Sequence, residues 1–333
     1  MIFITLGDPF SINIECLIRT FLNQNFFLTL SKKTQTILIG SYQAWKDQST
    51  MIEKKLPPLQ KLNSLEKPTK NGIYFYDLDQ EVEYDKNLSR AYRGELSRKS
   101  LGQLEKFQLN TEDAVLSCPV DKKLTFCHEN SPGGQTEFFE KLSQKKALMT
   151  MESPKLMVGL VTNHLPLAKV SQTITKKLVE QKLSLLCQYL QTKQKSPRVA
   201  VCSLNPHCGD GGLFGFEDQE IVEPAIKNFL LKNSENRCEV FGPLPADTLF
   251  WQAREGQYHG VLALYHDQGL APMKALYFEN TVNVSVGLNF LRVSPAHGPA
   301  TNLFKQNKAH ISGFQEAFRI ILNHLKNKNL YEK

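Results

Sequence analysis

The sequence predicts an α/β protein with a largely parallel sheet covered by helices, and three observations lead to this fold class. Short apolar runs alternate with longer amphipathic stretches along most of the chain. The chain has 333 residues, enough for two domains or one large α/β unit. Its 41% hydrophobic and 22% charged residues are ordinary for a globular protein.

Nine short apolar segments are candidate strands. They are separated by polar or helix-like stretches, as expected when each strand is followed by a crossover connection. The predicted strands lie at residues 1–6, 35–40, 72–76, 114–118, 155–162, 198–204, 238–243, 260–265 and 281–287.

The stretches between these strands contain the predicted helices. Helical spacing of apolar residues indicates helices at about 11–30, 171–194, 217–232 and 313–325, and Ser171 is a plausible cap for the second. Region 46–100 is the least regular part of the chain. Because it is rich in Lys, Gln, Glu and Pro, it is interpreted as surface elaboration or a loose connection.

Composition and charge argue against several classes of protein. The net charge of +7 comes from dispersed Lys and Arg, with no familiar nucleic-acid module, so we expect solvated surface and no nucleic-acid partner. Seven scattered cysteines without a CxxC pair argue against a disulfide framework and a zinc ribbon. The start of the chain lacks a basic leader and no apolar run reaches 18 residues, so a cytoplasmic protein without membrane association is expected.

Three histidines each follow a predicted strand. They are His164, His207 and His266, and ligands of α/β proteins bind at the carboxyl ends of parallel strands. Three imidazoles suit Zn²⁺ or Co²⁺ and leave a coordination position for substrate, with Asp210 and Asp267 near enough in sequence to orient the rings. Taken from spacing alone, a metal site and three incidental loop histidines are about equally supported.

Two further segments leave more than one interpretation open. The glycines of HCGDGGLFG, residues 207–215, allow a close backbone approach to a ligand, but they also suit a tight turn before a helix. Lys274, Asn283 and Arg292 could bind a phosphate or carboxylate, or lie on a solvated surface. No GxGxxG or Walker pattern is present.

Longer motifs resemble one enzyme family. NHLPL, LNPHCGDGGLFGFED, GPLPADTLF, YHDQGLAPMKAL and VNVSVGLNFLR together resemble 4-hydroxythreonine-4-phosphate dehydrogenase of vitamin B6 biosynthesis. The resemblance is dense between about residues 113 and 298. It implies a two-domain α/β/α fold of the isocitrate/isopropylmalate dehydrogenase type, which binds its nucleotide without a Rossmann fingerprint. We expect one domain at 1–125 plus 255–333 and a central domain at 126–254.

The resemblance also implies the chemistry. The family uses NAD or NADP to oxidise the 3-hydroxyl of 4-phosphooxy-threonine, and the product loses CO₂ to give 3-amino-2-oxopropyl phosphate. It implies a divalent metal, zinc first and magnesium or cobalt as alternatives, on the three histidines shared across a homodimer. The matching substrate positions are Gln135, Thr136, Lys274, Asn283 and Arg292. His297 and Gly298 match the nucleotide segment, Asp247 lies in a matching motif without an assigned role, and no residue is assigned as catalytic acid or base.

Three segments depart from the family pattern. The first loop, usually GDPAGIGPE, reads GDPFSINIE at residues 7–15, so two glycines are replaced by Ser11 and Asn13 and a bulky Phe10 enters. The family's GHTE has Gln135 in place of its histidine, and a glutamine cannot carry a proton at neutral pH. The family's DHGTA reads AHGPA, where Pro299 removes a backbone donor.

These departures keep two other functions open. The chain could be a related dehydrogenase for another phosphorylated hydroxy acid, as Gln135 suggests. It could also be a catalytically weak, metal-binding homologue, as Pro299 and the altered first loop suggest.

Overall fold

The computed structural model describes residues 1–52, 58–128, 131–233 and 237–331. The chain divides into two compact units, Met1–Lys145 with Leu288–Lys333, and Lys146–Gly287. These limits lie later in the chain than the predicted domain limits at 125/126 and 254/255. The second limit is later because the strands at Gly260–Ala263 and Val282–Val286 pair with neighbours inside the second unit.

The described residues form twelve strands. All nine predicted strands are confirmed, with limits that differ by a few residues, and three further strands were not predicted. The strands are β1 (Ile2–Thr5), β2 (Gln35–Gly40), β3 (Gln60–Leu62), β4 (Gly72–Asp77), β5 (Ala114–Ser117), β6 (Leu148–Glu152), β7 (Met157–Leu160), β8 (Arg198–Cys202), β9 (Glu239–Leu244), β10 (Gly260–Ala263), β11 (Val282–Val286) and β12 (Leu291–Pro295).

Twelve α-helices accompany these strands within the described ranges. They are α1 (Asn13–Phe21), α2 (Gln24–Lys33), α3 (Tyr42–Met51), α4 (Arg90–Lys106), α5 (Lys122–Thr125), α6 (Gln135–Ser143), α7 (Val170–Thr173), α8 (Lys176–Gln191), α9 (Glu223–Lys232), α10 (Ala246–Arg254), α11 (His266–Tyr277) and α12 (Ser312–Tyr331). In the part of the chain that is described, no helix is both long enough and apolar enough to cross a membrane.

The first unit contains a parallel sheet in the order β3-β4-β2-β1-β5-β12. Strands β1, β2 and β5 are almost entirely buried, so both faces of the sheet are covered, as in parallel sheets generally. Part of the core packs between the sheet and α4, where Phe3, Ile37, Leu101 and Leu104 are buried in one cluster.

The second unit contains a mixed sheet in the order β11-β6-β7-β10-β8-β9. Strands β7, β10, β8 and β9 are parallel, whereas β6 is antiparallel to both β7 and β11. The prediction of a largely parallel sheet is therefore confirmed, with β6 as the exception.

Two helix predictions were wrong in detail. The segment 171–194 is not one helix capped by Ser171. It breaks at Ile174, whose backbone is extended, and Thr175 caps α8 by accepting a hydrogen bond from the Leu178 amide at 3.2 Å. The segment 11–30 also divides, because the Asn23 side chain caps α2.

The interpretation of region 46–100 as loose surface elaboration was wrong for α4, although residues 53–57 lie outside the described residues. This 17-residue helix buries Tyr92, Leu96, Leu101 and Leu104. Small and polar residues complete the buried face, including Gly94, where an added Cβ would lie 2.6 Å from the Leu124 carbonyl oxygen. Because these buried residues are small or polar, the sequence of α4 lacks the apolar periodicity that predicts a helix.

Candidate functional site

Three adjacent parallel strands of the second unit carry the three predicted histidines. Strand β10 pairs with β7 on one side and with β8 on the other, so the carboxyl ends of the three strands share one sheet edge. His164 follows β7, His207 follows β8, and His266 is the first residue of α11 after β10. The sheet topology therefore brings the three loops to one edge, where α/β proteins bind ligands.

His164 and His266 lie close together. Their ring centroids are 5.4 Å apart. The Nδ1 atom of His266 lies 2.7 Å from a carboxylate oxygen of Asp267. A carboxylate on one ring nitrogen fixes the ring orientation and leaves Nε2 as the nitrogen for a metal ion. Asp267 thus makes the contact that the predicted orienting role requires, and the role stays a prediction.

His207 lies on a turn with unusual backbone geometry. Residues 207–211 all have positive φ angles, including 51° at His207 and 43° at Asp210. Gly209 and Gly211 adopt these angles readily, but the three other residues carry a Cβ, so the run is costly and must be held by its surroundings. The run leaves the His207 side chain exposed. The glycine-rich motif is therefore a strained turn that presents a histidine.

Asp218 holds the start of this turn. Its carboxylate, only 1% exposed, accepts hydrogen bonds from the backbone amides of Leu204 at 2.7 Å and Asn205 at 2.9 Å. Burial raises the pKa of the Asp218 carboxyl, and the two amide hydrogen bonds act in the opposite direction. The Asn205 side chain donates in turn to Glu217 at 2.7 Å.

Gln268 ties the loops after β8 and β10 together. Its Nε2 donates to the Ser203 carbonyl, and its Oε1 accepts from the Leu264 amide, both at 2.7 Å. Neither Asp218 nor Gln268 was singled out in the sequence. A polar residue two positions after His266 is the only signal that could have indicated Gln268.

The histidines fit a divalent ion by the chemistry of their donors, but one chain does not assemble all three. Neutral imidazoles suit Zn²⁺ and similar ions, and Asp267 supplies the orienting carboxylate. Across the described ranges, no group of three His, Cys, Asp or Glu side chains could hold a metal ion. The three-histidine assignment therefore stays a prediction, with two of its members adjacent.

A cavity of about 520 Å³ lies beside His207. Its lining includes Asp247 in the first turn of α10, Tyr265, Gln268 and Pro272. The GPLPAD motif thus contributes an acidic side chain to the same cavity as a predicted metal ligand. Two predicted substrate residues belong to this unit, Lys274 on α11 and Asn283 on β11, and neither lines this cavity.

Arg292, on β12 of the first unit, is a buried cation. Only 3% of its surface is exposed, and its guanidinium lies 5.3 Å from the Phe139 ring centroid. Its Nε donates to the Ser117 hydroxyl at 2.8 Å, and Nη2 donates to the Gln135 side-chain oxygen at 2.7 Å. Burial lowers the pKa of Arg292 to about 10, partly opposed by the charge of Glu137, so the group is charged at neutral pH.

Gln135 and Thr136 begin α6, and both are half-buried. The helix starts after Gly134 and has no side-chain cap, and the Gln135 side chain in its first turn contacts Arg292. A helix N-terminus and a guanidinium together favour an anion. The structure thus brings Gln135 and Arg292 into direct contact, whereas the other substrate residues, Lys274 and Asn283, belong to the second unit.

The segment predicted to contact the nucleotide lies in the first unit. His297 Nδ1 lies 2.8 Å from the Gly298 carbonyl oxygen, and the Pro299 carbonyl accepts a hydrogen bond from the Ile12 amide at 3.2 Å. An added Cβ at Gly298 would meet no atom within 4 Å, so the backbone is open to a ligand. The roles of His297 and Gly298 in nucleotide binding stay predictions.

The first loop packs against the same part of the unit. The Phe10 ring lies 4.5 Å from the Phe304 ring, and the Arg93 guanidinium lies 4.7 Å from the Phe10 centroid. Arg93 also pairs with Asp8 at 2.7 Å. Phe10, the bulkiest departure from the family pattern, is therefore anchored within the first unit.

Comparison with known proteins places the chain in a family. The family model for pyridoxal phosphate biosynthetic protein PdxA matches residues 32–321. A 4-hydroxythreonine-4-phosphate dehydrogenase from Sulfurihydrogenibium sp. is 33% identical over 96% of both chains. The crystal structure of 4-hydroxythreonine-4-phosphate dehydrogenase from Klebsiella pneumoniae has a TM-score of 0.81 and 27% identity over 98% of both chains.

A more distant structure bears on the fold alone. Isocitrate dehydrogenase from Methylococcus capsulatus superposes with a TM-score of 0.50 and 11% identity, over 98% of this chain and 86% of the other. The predicted α/β fold of the isocitrate dehydrogenase type is confirmed, as is the predicted oxidoreductase class. The family implies a nicotinamide-type cofactor and a divalent metal in general terms. The chain belongs to the family of pyridoxal phosphate biosynthetic protein PdxA.

Proposed function

We propose that this chain is a metal-dependent, NAD- or NADP-linked dehydrogenase that oxidises 4-phosphooxy-L-threonine and releases CO₂ to give 3-amino-2-oxopropyl phosphate. The observation that carries the proposal is the pair of adjacent imidazoles, His164 and His266, at neighbouring strand ends in a chain of this family. The names of its relatives support the same reaction.

The reaction has two balanced steps. In the first, C3 of the substrate loses a hydride to the nicotinamide and its hydroxyl loses a proton, giving a 3-oxo acid. In the second, the bond between the carboxylate and C2 breaks, CO₂ leaves, and C2 gains a proton. When bound, a divalent ion supplies the Lewis acidity that stabilises negative charge on the substrate oxygen in both steps.

The histidines would hold that ion, with zinc as the first candidate and cobalt or magnesium as alternatives. Asp267 would keep the His266 ring in one orientation, so that Nε2 faces the ion before the ion binds. Asp218 and Gln268 hold the loops that carry His207 and His266. These three residues act on the ligands and not on the substrate.

Cationic and polar side chains would bind the ends of the substrate. Arg292 offers a planar set of charged donors suited to a phosphate group, and the Gln135 side chain in the first turn of α6 contacts it. Thr136, Lys274 and Asn283 would supply further hydrogen bonds. Holding both substrate ends fixes C3 for hydride transfer, which lowers the entropic part of the barrier.

A homodimer with shared active sites belongs to the proposal. Exposed apolar side chains occur beside two of the histidines: Leu167 after His164 is 71% exposed, and Leu213 and Phe216 after His207 are 73% and 53% exposed. Large apolar side chains exposed beside the predicted metal ligands favour a protein–protein interface there. A second copy of the chain would cover them and bring its own His207 to the imidazole pair.

The test is an assay of the purified protein with measured metal content. Reduction of NAD and of NADP is followed with 4-phosphooxy-L-threonine and with unphosphorylated 4-hydroxythreonine, and CO₂ release is measured in parallel. We expect turnover of the phosphorylated substrate only, with one CO₂ per nicotinamide reduced. Turnover of a different phosphorylated hydroxy acid alone would favour the related dehydrogenase, and tight metal binding without turnover would favour the weak homologue.

A further inference from the structure

The turn after β5 is held from two sides by side chains of the first unit. Asn13 Nδ2 donates to the Pro119 carbonyl at 2.8 Å and to the Leu6 carbonyl at 3.0 Å. Gln135 Nε2 donates to the Cys118 carbonyl at 2.9 Å. Consecutive carbonyls of one turn are therefore each bound by a side-chain amide.

Gln135 also connects this turn to Arg292. Its Oε1 accepts the hydrogen bond from Arg292 Nη2 at 2.7 Å, while Nε2 is used on Cys118. Arg292 Nε donates to the Ser117 hydroxyl at 2.8 Å, and Ser117 directly precedes Cys118. The position of the guanidinium thus depends on the end of β5 at two points, and Gln135 provides one of them.

The residues at these positions are departures from the family motifs. Positions 13 and 135 correspond to a glycine and a histidine in GDPAGIGPE and GHTE. Glycine has no side chain to bind Pro119. Protonated histidine has two donors and no acceptor, so it would lose the hydrogen bond from Arg292 and place a second positive charge beside it. The glutamine amide accepts from Arg292 at every pH at which the fold persists.

We propose that Gln135 is a positioning residue that holds the Arg292 guanidinium for the substrate phosphate, and that Asn13 braces the Cys118–Pro119 turn on which Gln135 depends. The two departures then form one connected support and are not independent losses. The substrate assignment within this inference rests on the proposed function, whereas the hydrogen-bonded support itself does not.

The first experiment compares wild type with Gln135→Ala. Isothermal titration with inorganic phosphate gives the dissociation constant, and steady-state kinetics give KM and kcat. We expect the phosphate dissociation constant and the KM for phosphorylated substrate to rise about 10-fold, because a misplaced binding group loses that order of affinity, with kcat nearly unchanged. Unchanged phosphate affinity and unchanged KM would overturn the inference.

The matched control is Gln35→Ala. Gln35 also donates its side-chain amide to a carbonyl, that of Thr69 at 3.1 Å, but it begins β2 and so lies at the opposite sheet edge from the turn after β5. We expect no change in phosphate affinity for this variant. An equal loss of affinity in both variants would mean that Gln135 acts through general stability, and it would overturn the inference.

The second experiment uses Gln135→His over pH 5.5–8.5. The ionisation of phosphate affects both proteins alike, so the ratio of the two dissociation constants isolates residue 135. With a histidine pKa of about 6.5, we expect a ratio near one at pH 8 and weaker binding by the variant at pH 5.5. Tighter binding by the variant at low pH would show residue 135 to be a direct phosphate contact and would contradict a positioning role.

A double-mutant cycle tests the brace. Asn13→Gly and Gln135→Ala are combined, and thermal unfolding identifies any variant that has lost its fold. Asn71→Gly is the matched control, because Asn71 donates to the Lys32 carbonyl at 2.8 Å on an exposed part of the unit. We expect Gln135→Ala to reduce phosphate affinity less in the Asn13→Gly background than it does in the wild-type protein. Strictly additive losses would contradict the coupling.

These results separate the two proposals. If wild type fails to turn over 4-phosphooxy-L-threonine while Gln135→Ala still weakens phosphate binding, the proposed function fails and the positioning role stands. If wild type is active and Gln135→Ala leaves phosphate binding and KM unchanged, the positioning role fails and the proposed function stands.

Discussion

The surroundings of Arg292 in the first unit are built in the opposite way to the strand ends of the second unit that carry His164, His207 and His266, here called the histidine edge. Arg292 is buried, and its guanidinium is held by Ser117 and Gln135 within the chain. His164 and His207 are exposed, and no three metal-binding side chains converge among the residues described. The Arg292 guanidinium is thus fixed within its own chain, whereas the proposed metal site needs the His207 of a second chain.

The difference shows how a buried charged group and a metal site are stabilised in different ways. A buried guanidinium costs desolvation free energy that only fixed hydrogen bonds can offset, so its neighbours must be built into the fold. A metal ion supplies its own binding free energy, so its ligands can stay exposed until the ion and a partner assemble them.

The largest expected effect comes from the histidine edge. We expect His207→Ala to lose bound metal and at least about 100-fold in kcat/KM, because removal of a Lewis acid costs several kcal/mol of transition-state stabilisation. Elemental analysis and kinetics measure the two quantities. Because His207 is exposed, thermal unfolding without metal should match wild type. Wild-type metal content in the variant would remove His207 from the site.

The next largest effect is expected when Arg292 is replaced. Arg292→Ala should raise the KM for phosphorylated substrate by about 10- to 100-fold, since hydrogen bonds to charged groups contribute about 1.5–3 kcal/mol. Metal content should stay at the wild-type level, in contrast to His207→Ala. A KM equal to that of wild type would mean that the buried guanidinium has a structural role alone.

A smaller effect is expected for Asp267, whose carboxylate contacts the His266 ring. Asp267→Asn should weaken metal affinity about 10-fold, the low end for partners that orient a ligand, because Asp267 is 85% exposed. Competition with a chelator measures the affinity. An affinity equal to that of wild type would mean that the 2.7 Å contact does not orient the ring.

The smallest effect on activity concerns the strained turn. Asp218→Asn replaces two acceptor oxygens by one, so the amide of Leu204 or of Asn205 loses its partner. We expect a loss of about 1–3 kcal/mol in the free energy of unfolding, measured with urea, and a change in kcat below 10-fold. Full wild-type stability would show that the turn at His207 is held by other contacts.

Much of the fold was predictable because apolar runs mark buried parallel strands. Two of the three missed strands show the limit: β12 contains buried Arg292, and β3 is a short edge strand with exposed Gln60 and Lys61. Helix α4 was missed because small and polar residues share its buried face. Local pattern identifies an element only where burial and apolarity coincide.

More of the candidate site was predictable from the sequence in the second unit than in the first. Each histidine loop follows a predicted strand directly, and α/β proteins bind ligands at the carboxyl ends of parallel strands, so the sequence indicated a common edge. The support of Arg292 was not predictable, because Gln135 and Arg292 are 157 positions apart, and Asn13 and Pro119 are 106 apart. Such contacts depend on tertiary packing, and the sequence suggested only that residues 13 and 135 were unusual.

Subunit complementation tests the shared site most directly. The proposal assigns His164 and His266 to one subunit and His207 to its partner. A purified heterodimer of His207→Ala and His266→Ala chains would then contain one intact site of two, and we predict about half of the wild-type activity and metal content. The matched control, a heterodimer of His164→Ala and His266→Ala chains, should stay inactive because neither site keeps both imidazoles. An inactive first heterodimer, or equal recovery in both, would contradict the shared site.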